Sequence, residues 1–346
     1  RHETDYRNTT EIETKNNLLS LPATKILEGI KSAGATIDEQ VEQLWQALNA
    51  WEEIMTLHYN TLGLFEDAIE TYNQFPTSRM NTRYMRMFGK AFMYATSAHI
   101  GIGYNSVPDM MKGQSSLKGQ TPSYFGWGID HEIGHVLNYK SYVAAEVTNN
   151  IFALFAQEAS GQDIRIKGKY PQIYEKVAVP TEGMAGDVFV SLGMYWQLHL
   201  AYDENKVMEK DDFYPRLHRA YRESNVPSGE EGFVILASEM AGKDLTDFFT
   251  HWGVKISQST KDAIAAKGLS KEDKKIYYIN DDAFDYRLAG GKGLTSTTVT
   301  MDAVITPPKE VDNNSQRVQI EMSVPEKDKE HILGYEISRN GEVIGF

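Results

Sequence analysis

The sequence predicts an α+β fold, mostly helical after a small sheet and ending in a β-rich segment. Three observations carry that prediction. Long stretches place apolar residues at helical spacing, beginning at Thr36 and resuming after Gly183. Residues 79–104 instead form short aromatic-rich runs punctuated by Gly89. Past the charged run Lys271-Glu272-Asp273-Lys274-Lys275, short β-type runs take over.

Composition narrows the function classes. A chain of 346 residues is long enough for a large core and more than one domain. Its net charge of -13 argues against nucleic acid as a partner, because tracking phosphates requires clustered Lys and Arg. The absence of cysteine rules out disulfide scaffolds, thiol catalysis and thiolate-bound zinc. No apolar run approaches the roughly 20 residues of a transmembrane segment. The chain opens at Arg1 without Met or a signal-like stretch, and reads as a piece of a longer protein.

Taken in order, residues 1–36 read as a polar N-terminal approach segment with a short helix near Ala23–Lys31. A strong helix starts at Thr36-Ile37-Asp38, with Thr36 or Asp38 as N-cap. Val41, Leu44, Trp45, Leu48, Trp51, Ile54 and Met55 lie on its apolar stripe. Leu64, Phe65, Ala68, Ile69 and Tyr72 extend helical spacing until Pro76 stops it. Residues 98–104 alternate small and larger side chains, as a strand does, and 105–120 read as a loop.

The chemistry concentrates in His131-Glu132-Ile133-Gly134-His135, an H-E-x-x-H pattern. On a helix, residues four apart share a face, so both histidines can offer a ring nitrogen to one metal ion. Glu132 then stands beside that metal, placed to take a proton from a water. With only nine histidines in the chain, a chance match has odds on the order of one in a hundred. Trp127, four residues before His131, either lines the pocket or braces the helix. The strand at 98–104 is placed to pair with an extended peptide at a sheet edge, which makes His99 a candidate substrate contact.

Two histidines leave a catalytic zinc one protein ligand short. Glu146 and Glu158, in a helical-looking run over 144–159, are both within reach, and spacing does not separate them. The local sequence does. Glu146-Val147-Thr148-Asn149-Asn150-Ile151 resembles the E-V-T-x-N signature of the M60-like metallopeptidases, the enhancins and mucin-degrading O-glycopeptidases. The stretch from Gly126 to His135 is similar to that family's approach to its zinc helix, and the segments 194–198, 212–217 and 248–253 extend the resemblance over roughly residues 80–260.

The resemblance implies a gluzincin-like catalytic domain, assigned to 37–275, with one Zn2+ held by His131, His135 and Glu146 and with Glu132 as general base. It implies peptide-bond hydrolysis in an O-glycosylated, mucin-like protein, by a bacterial enzyme that is secreted or at the cell surface. The rival reading is a glycan- or mucin-binding module that keeps the scaffold without turnover. An intact Glu132 speaks against it. Asn149 and Asn150 fall one turn beyond Glu146 on a continuous helix, where their amides either contact substrate or steady the ligands.

Beyond the motif, 183–202, 211–223, 229–242 and 245–252 read as helices, with Asp187 either orienting a histidine or capping the first of these. Arg216, Arg219 and Arg222 recur every three residues, as a salt-bridged face or as a cationic stripe for an acidic glycan. Residues 276–346 read as a β-sandwich-like, fibronectin-III-like accessory segment, short or completed beyond Phe346. Asn340-Gly341 marks a two-residue hairpin there.

Overall fold

The computed structural model describes residues 8–87, 89–138, 144–223, 225, 227–291, 302–306, 319–323, 325–329 and 332–346. Strands β1 (Thr9–Glu13) and β2 (Asn17–Pro22) form an antiparallel hairpin that runs directly into helix α1 (Ala23–Lys31). The helix lies where the sequence placed it; the two strands before it are not an approach but part of the main sheet. Leu19 and Leu21 of β2 are fully buried, and Ser20 between them is only half-buried, the alternation of a strand with one face on the core.

Helix α2 (Ile37–Thr61) opens with a capping box. Thr36 Oγ1 accepts from the Glu39 N–H at 3.2 Å, and the Glu39 carboxylate accepts from the Thr36 N–H at 2.9 Å. The spacing over 64–72 does not continue the helix; only Thr71–Asn73 form a 3-10 turn. Ile69 is 94% exposed, so its place in the apolar pattern reflects no core face. Arg222 donates to the carbonyls of Leu62 and Gly63, which satisfies the end of α2 from another helix.

Strands β3 (Met80–Tyr84), β4 (Met93–Ala95) and β5 (Ile100–Ile102) complete a five-stranded sheet of order β1-β2-β3-β5-β4. The sequence reading treated the segment around β5 as the edge. The structure puts β5 between a parallel β3 and an antiparallel β4, so β4, not β5, is the edge on that side of the sheet. Gly101 in β5 permits this crowding, because a Cβ there would meet the Tyr94 ring at 2.4 Å.

Helix α3 (Trp127–Leu137) carries the H-E-x-x-H motif, and α4 (Asn150–Ala159) follows. The helix expected over 144–159 therefore begins only at Asn150. A second lobe is built from α5 (Tyr170–Ala178), α6 (Val188–Tyr202), α7 (Phe213–Glu223), α8 (Glu230–Ala241), α9 (Thr246–His251) and α10 (Gln258–Ala266). Helix α6 is buried on every side from Val190 to Leu200, so it is the axis of that lobe rather than an amphipathic surface helix. Asp187 caps it, accepting from the N–H groups of Phe189 and Val190. Arg216 and Arg219, like Arg222, donate to backbone carbonyls, those of Met240 and Lys210. The arginine stripe thus ties helix ends and loops together.

Short strands β6 (Lys243–Asp244) and β7 (Ser270–Lys271) pair in parallel. Ile276–Tyr278 is a buried 3-10 turn, not a strand, and Gln197 of α6 donates to the Tyr277 and Ile279 carbonyls. Helix α11 (Asp281–Leu288) interrupts the expected β texture. Its signal was present in Asn280, whose side chain caps Ala283 N–H, followed by Asp281 and Asp282 in the first turn. Beyond it, β8 (Asp302–Thr306) pairs with β9 (Gln319–Ser323), and β10 (Ile337–Arg339) with β11 (Glu342–Gly345). Asn340 and Gly341 take φ +55° and +86°, the turn their identity predicts. Residues 292–301 and 307–318 of the stretch expected to be β-rich lie outside the described residues. The final hairpin is anchored on the helical lobe: Phe346 stacks on Tyr278 at 3.8 Å, and Tyr278 donates to Glu336.

Two apolar cores result. One joins the sheet to α1, α2 and the inner face of α3 through Leu19, Trp51, Ile54, Ile100, Ile129 and Ile133. The other surrounds α6 and receives Trp127 and Leu137 from the ends of α3. The motif helix lies at the seam between them.

Candidate active site

The seam opens as a cleft of about 530 Å³, lined by residues 93–97 of the edge strand and its continuation and by His131, Glu132, His135 and Glu146. Helix α3 packs closely beneath the edge strand, where Gly128 leaves room for Phe92 and Met93. Gly126, at φ +91°, turns the chain into the helix.

His131 Nε2 and His135 Nε2 lie 3.2 Å apart. Each is 3.4 Å from an oxygen of the Glu146 carboxylate, His131 from Oε2 and His135 from Oε1. A tetrahedral zinc with bonds of about 2.0–2.1 Å separates its ligand atoms by about 3.3–3.4 Å. Each pairwise separation is of the size such an ion requires, with the two histidines facing different oxygens of Glu146, and none of the three groups is a thiolate that would favour a softer metal. The Glu132 carboxylate also comes within 4.8 Å of both histidines.

Glu146 reaches the histidines from a turn, not from a helix. Its backbone takes φ +60°, a left-handed conformation that costs a non-glycine residue on the order of 1 kcal/mol. The turn is held on both sides. Thr148 Oγ1 accepts from Asn138 Nδ2 at 2.8 Å and from the Ala144 N–H at 3.2 Å, while Val147 is buried in the helical core.

Burial raises the affinity of Glu132 for a proton, opposed by the neighbouring His131 and reinforced by Glu146. The Ala95 backbone, on the edge strand, sits against this carboxylate and partly offsets that rise. Burial pushes the His135 imidazole down, against the pull of Glu146, toward the neutral ring that a metal ligand must be.

The other candidate residues are distributed differently from the sequence expectation. Trp127 is turned against Phe189 of α6, with the Arg165 guanidinium 4.7 Å over its ring, and is not among the cleft-lining residues. His99 joins Arg83, Tyr94 and Thr96 in a polar cluster at the start of β5 and does not line the cleft either. Asn149 and Asn150 are 0% and 2% exposed and face the motif histidines. Of the two roles the sequence leaves open for them, this burial favours steadying the histidines over contacting substrate. Glu158 is buried 2.8 Å from His199, away from the motif histidines.

Two contributors escaped the sequence reading. Asp130, immediately before the motif, is buried and bonded to His58 Nε2 of α2 at 2.7 Å. The signal was available: His58 falls on the apolar stripe of Trp51, Ile54 and Met55, where a histidine needs a buried partner. The backbone amide of Ala95 left no mark in the sequence.

The chain is similar to known proteins over most of its length. Residues 7–253 match the family described as peptidase M60, enhancin and enhancin-like, which extends the likeness well before the limit near residue 80. No curated protein matches the chain. The M60 catalytic domain of Clostridium perfringens ZmpC, in complex with the sialyl T antigen, is similar in structure at TM-score 0.73 and 27% identity. The match covers 98% of this chain and 62% of that one. The ZmpB metallopeptidase of the same organism gives TM-score 0.73 at 25% identity, with the same coverages of 98% and 62%. The catalytic module of its metalloprotease ZmpA, at 22% identity and TM-score 0.71 over 98% and 61%, shares the fold. The chain thus spans less than two thirds of these relatives' lengths. With a family match over most of its length and the motif histidines at the seam of a mixed helix-and-sheet fold, the chain belongs to the M60 peptidase family.

Proposed function

We propose that the chain is a zinc-dependent endopeptidase that cleaves peptide bonds in O-glycosylated, mucin-like proteins. The observation that carries this reading is the 3.2–3.4 Å spacing of His131 and His135 from each other and from the two Glu146 oxygens, with the buried Glu132 beside them and a free strand edge along one wall. When bound, zinc supplies Lewis-acid polarisation of the scissile carbonyl and makes a water acidic near neutral pH.

The remaining work falls to the chain. Residues 93–97 offer an extended substrate a strand to pair with, which lays its backbone across the cleft. Glu132, made more basic by burial, takes the proton of the attacking water and returns it to the leaving amine. The glycan part of the proposal draws on the ZmpC relative, whose M60 domain was solved with the sialyl T antigen. Secretion or display at the cell surface follows from the same substrate class. The antiparallel pairs β8–β9 and β10–β11 support reading the tail as part of a fibronectin-III-like accessory segment.

The test is incubation with a mucin and with its deglycosylated form, with and without a chelator, with fragments read by mass spectrometry. Chelator-sensitive peptide fragments from the glycosylated form are expected. Glu132→Ala should keep the fold and bind zinc but lose turnover by several orders of magnitude. Intact mucin, or full turnover by that variant, sinks the reading.

A further inference from the structure

The buried amide of Asn150 sits between two of the metal-facing groups. His131 Nδ1 lies 2.6 Å from Asn150 Oδ1, and Asn150 Nδ2 donates to the Glu146 carbonyl at 2.7 Å. Because a carbonyl only accepts, the second bond fixes which end of the amide is nitrogen. The oxygen must then face His131, and the proton of that hydrogen bond must reside on Nδ1.

We propose that Asn150 is a positioning residue that sets the tautomer of His131 and pins the left-handed turn bearing Glu146. The inference rests on the metal-centre reading above. A neutral imidazole carries one proton; held on Nδ1, it leaves the Nε2 lone pair directed at the metal position. The same side chain holds the backbone of Glu146 at φ +60°, where a non-glycine residue does not rest unaided. One amide therefore couples the first histidine to the glutamate that faces both histidines. A carboxylate at this position would accept from His131 equally well but has no proton for the Glu146 carbonyl.

Asn149 is the competing candidate. Its Nδ2 lies 3.2 Å from both His131 Nδ1 and His135 Nε2, and its buried Oδ1 has no partner among the described residues. Were Asn149 to set the tautomer, its N–H would donate to His131 Nδ1 and force the proton onto Nε2, against the metal. Asn150 Oδ1 would then face an unprotonated nitrogen at 2.6 Å, two acceptors in contact. The two amides thus predict opposite tautomers.

The experiment reads the imidazole nitrogens of His131 by NMR in 15N-labelled, metal-free protein, and zinc affinity by competition with a chromophoric chelator. Wild type is expected to show protonated Nδ1 and bare Nε2. Asn150→Ala should lose that preference and bind zinc roughly 10- to 100-fold more weakly. Asn150→Asp should restore the Nδ1–H tautomer, a rescue that general loosening of the fold would not produce. Wild type with its proton on Nε2 overturns the inference, whatever the variants do. So does Asn150→Ala with unchanged tautomer and affinity. If wild type takes up no zinc at all, the metal-centre reading itself fails, a result separable from equal binding by wild type and Asn150→Ala.

Discussion

His58 Nε2 lies 2.7 Å from Asp130 Oδ1, and this single bond, with both side chains buried, fastens the motif helix to α2. Burial drives the Asp130 carboxyl to hold its proton, and the bond to His58 opposes that. Phe152 of α4 meets the His58 ring edge-on at 5.4 Å, so the pair is enclosed from the helical side as well.

Removing one partner strands the other in an apolar surround. His58→Ala should therefore cost on the order of 3–5 kcal/mol of stability, against the ~1 kcal/mol of an ordinary neutral hydrogen bond. Urea unfolding of wild type and variant measures it. A loss below about 1 kcal/mol would show that the pair is no anchor.

Gly134, the second variable position of the motif, marks the closest approach of α3 to the next segment. A Cβ there would sit 2.1 Å from the Asn149 carbonyl oxygen and 2.9 Å from its carbon. Both obstacles are backbone, so the turn carrying Glu146 and Asn150 must move. We expect Gly134→Ala to cost about 1–3 kcal/mol by overpacking and to weaken zinc binding at least tenfold, read by chelator competition. Wild-type zinc affinity in this variant would mean that the α3–α4 contact does not position the glutamate.

How much of this was legible in the sequence depends on how local the cause was. The α2 cap lies in Thr36 and Glu39 alone, and the α1 boundaries and the Asn340-Gly341 turn are equally local. The histidine pair needed only helical spacing. Glu146 was different: a left-handed glutamate has no sequence mark, and the run around it is rich enough in Ala and apolar residues to pass for helix. Its choice over Glu158 came from family likeness, while the physical distinction, Glu158 sealed against His199, is a tertiary contact. The free edge at β4 was missed for the same reason, since strand order follows from pairing across the sheet and not from any one strand.

The last prediction concerns pH and two histidines remote from the cleft. His199 is buried between Glu158 and Asp203, each at 2.8 Å. Burial alone would push it down, but the two carboxylates outweigh that and hold it up to about 9. His218 is buried with Nδ1–H donating to the Thr61 carbonyl, and burial pushes it down to about 4. The signs follow from linkage. His199 has a raised folded pKa, so its contribution is full below its unfolded value near 6.5 and is lost as pH climbs through about 9. His218 has a lowered one, so its contribution is full above about 6.5 and is lost as pH falls toward about 4. Each effect is on the order of 3 kcal/mol. Asp130 and Asp203, whose carboxyls burial pushes up, act in the acid range with the opposite slope, so the comparison must be differential. Urea midpoints of wild type and His218→Asn should agree in shape above pH 7 and diverge between pH 6.5 and 4.5, with wild type losing more. His199→Gln should be destabilised at neutral pH yet flatter between pH 7 and 9. Parallel curves for wild type and both variants would show that neither histidine titrates across folding as its surroundings require.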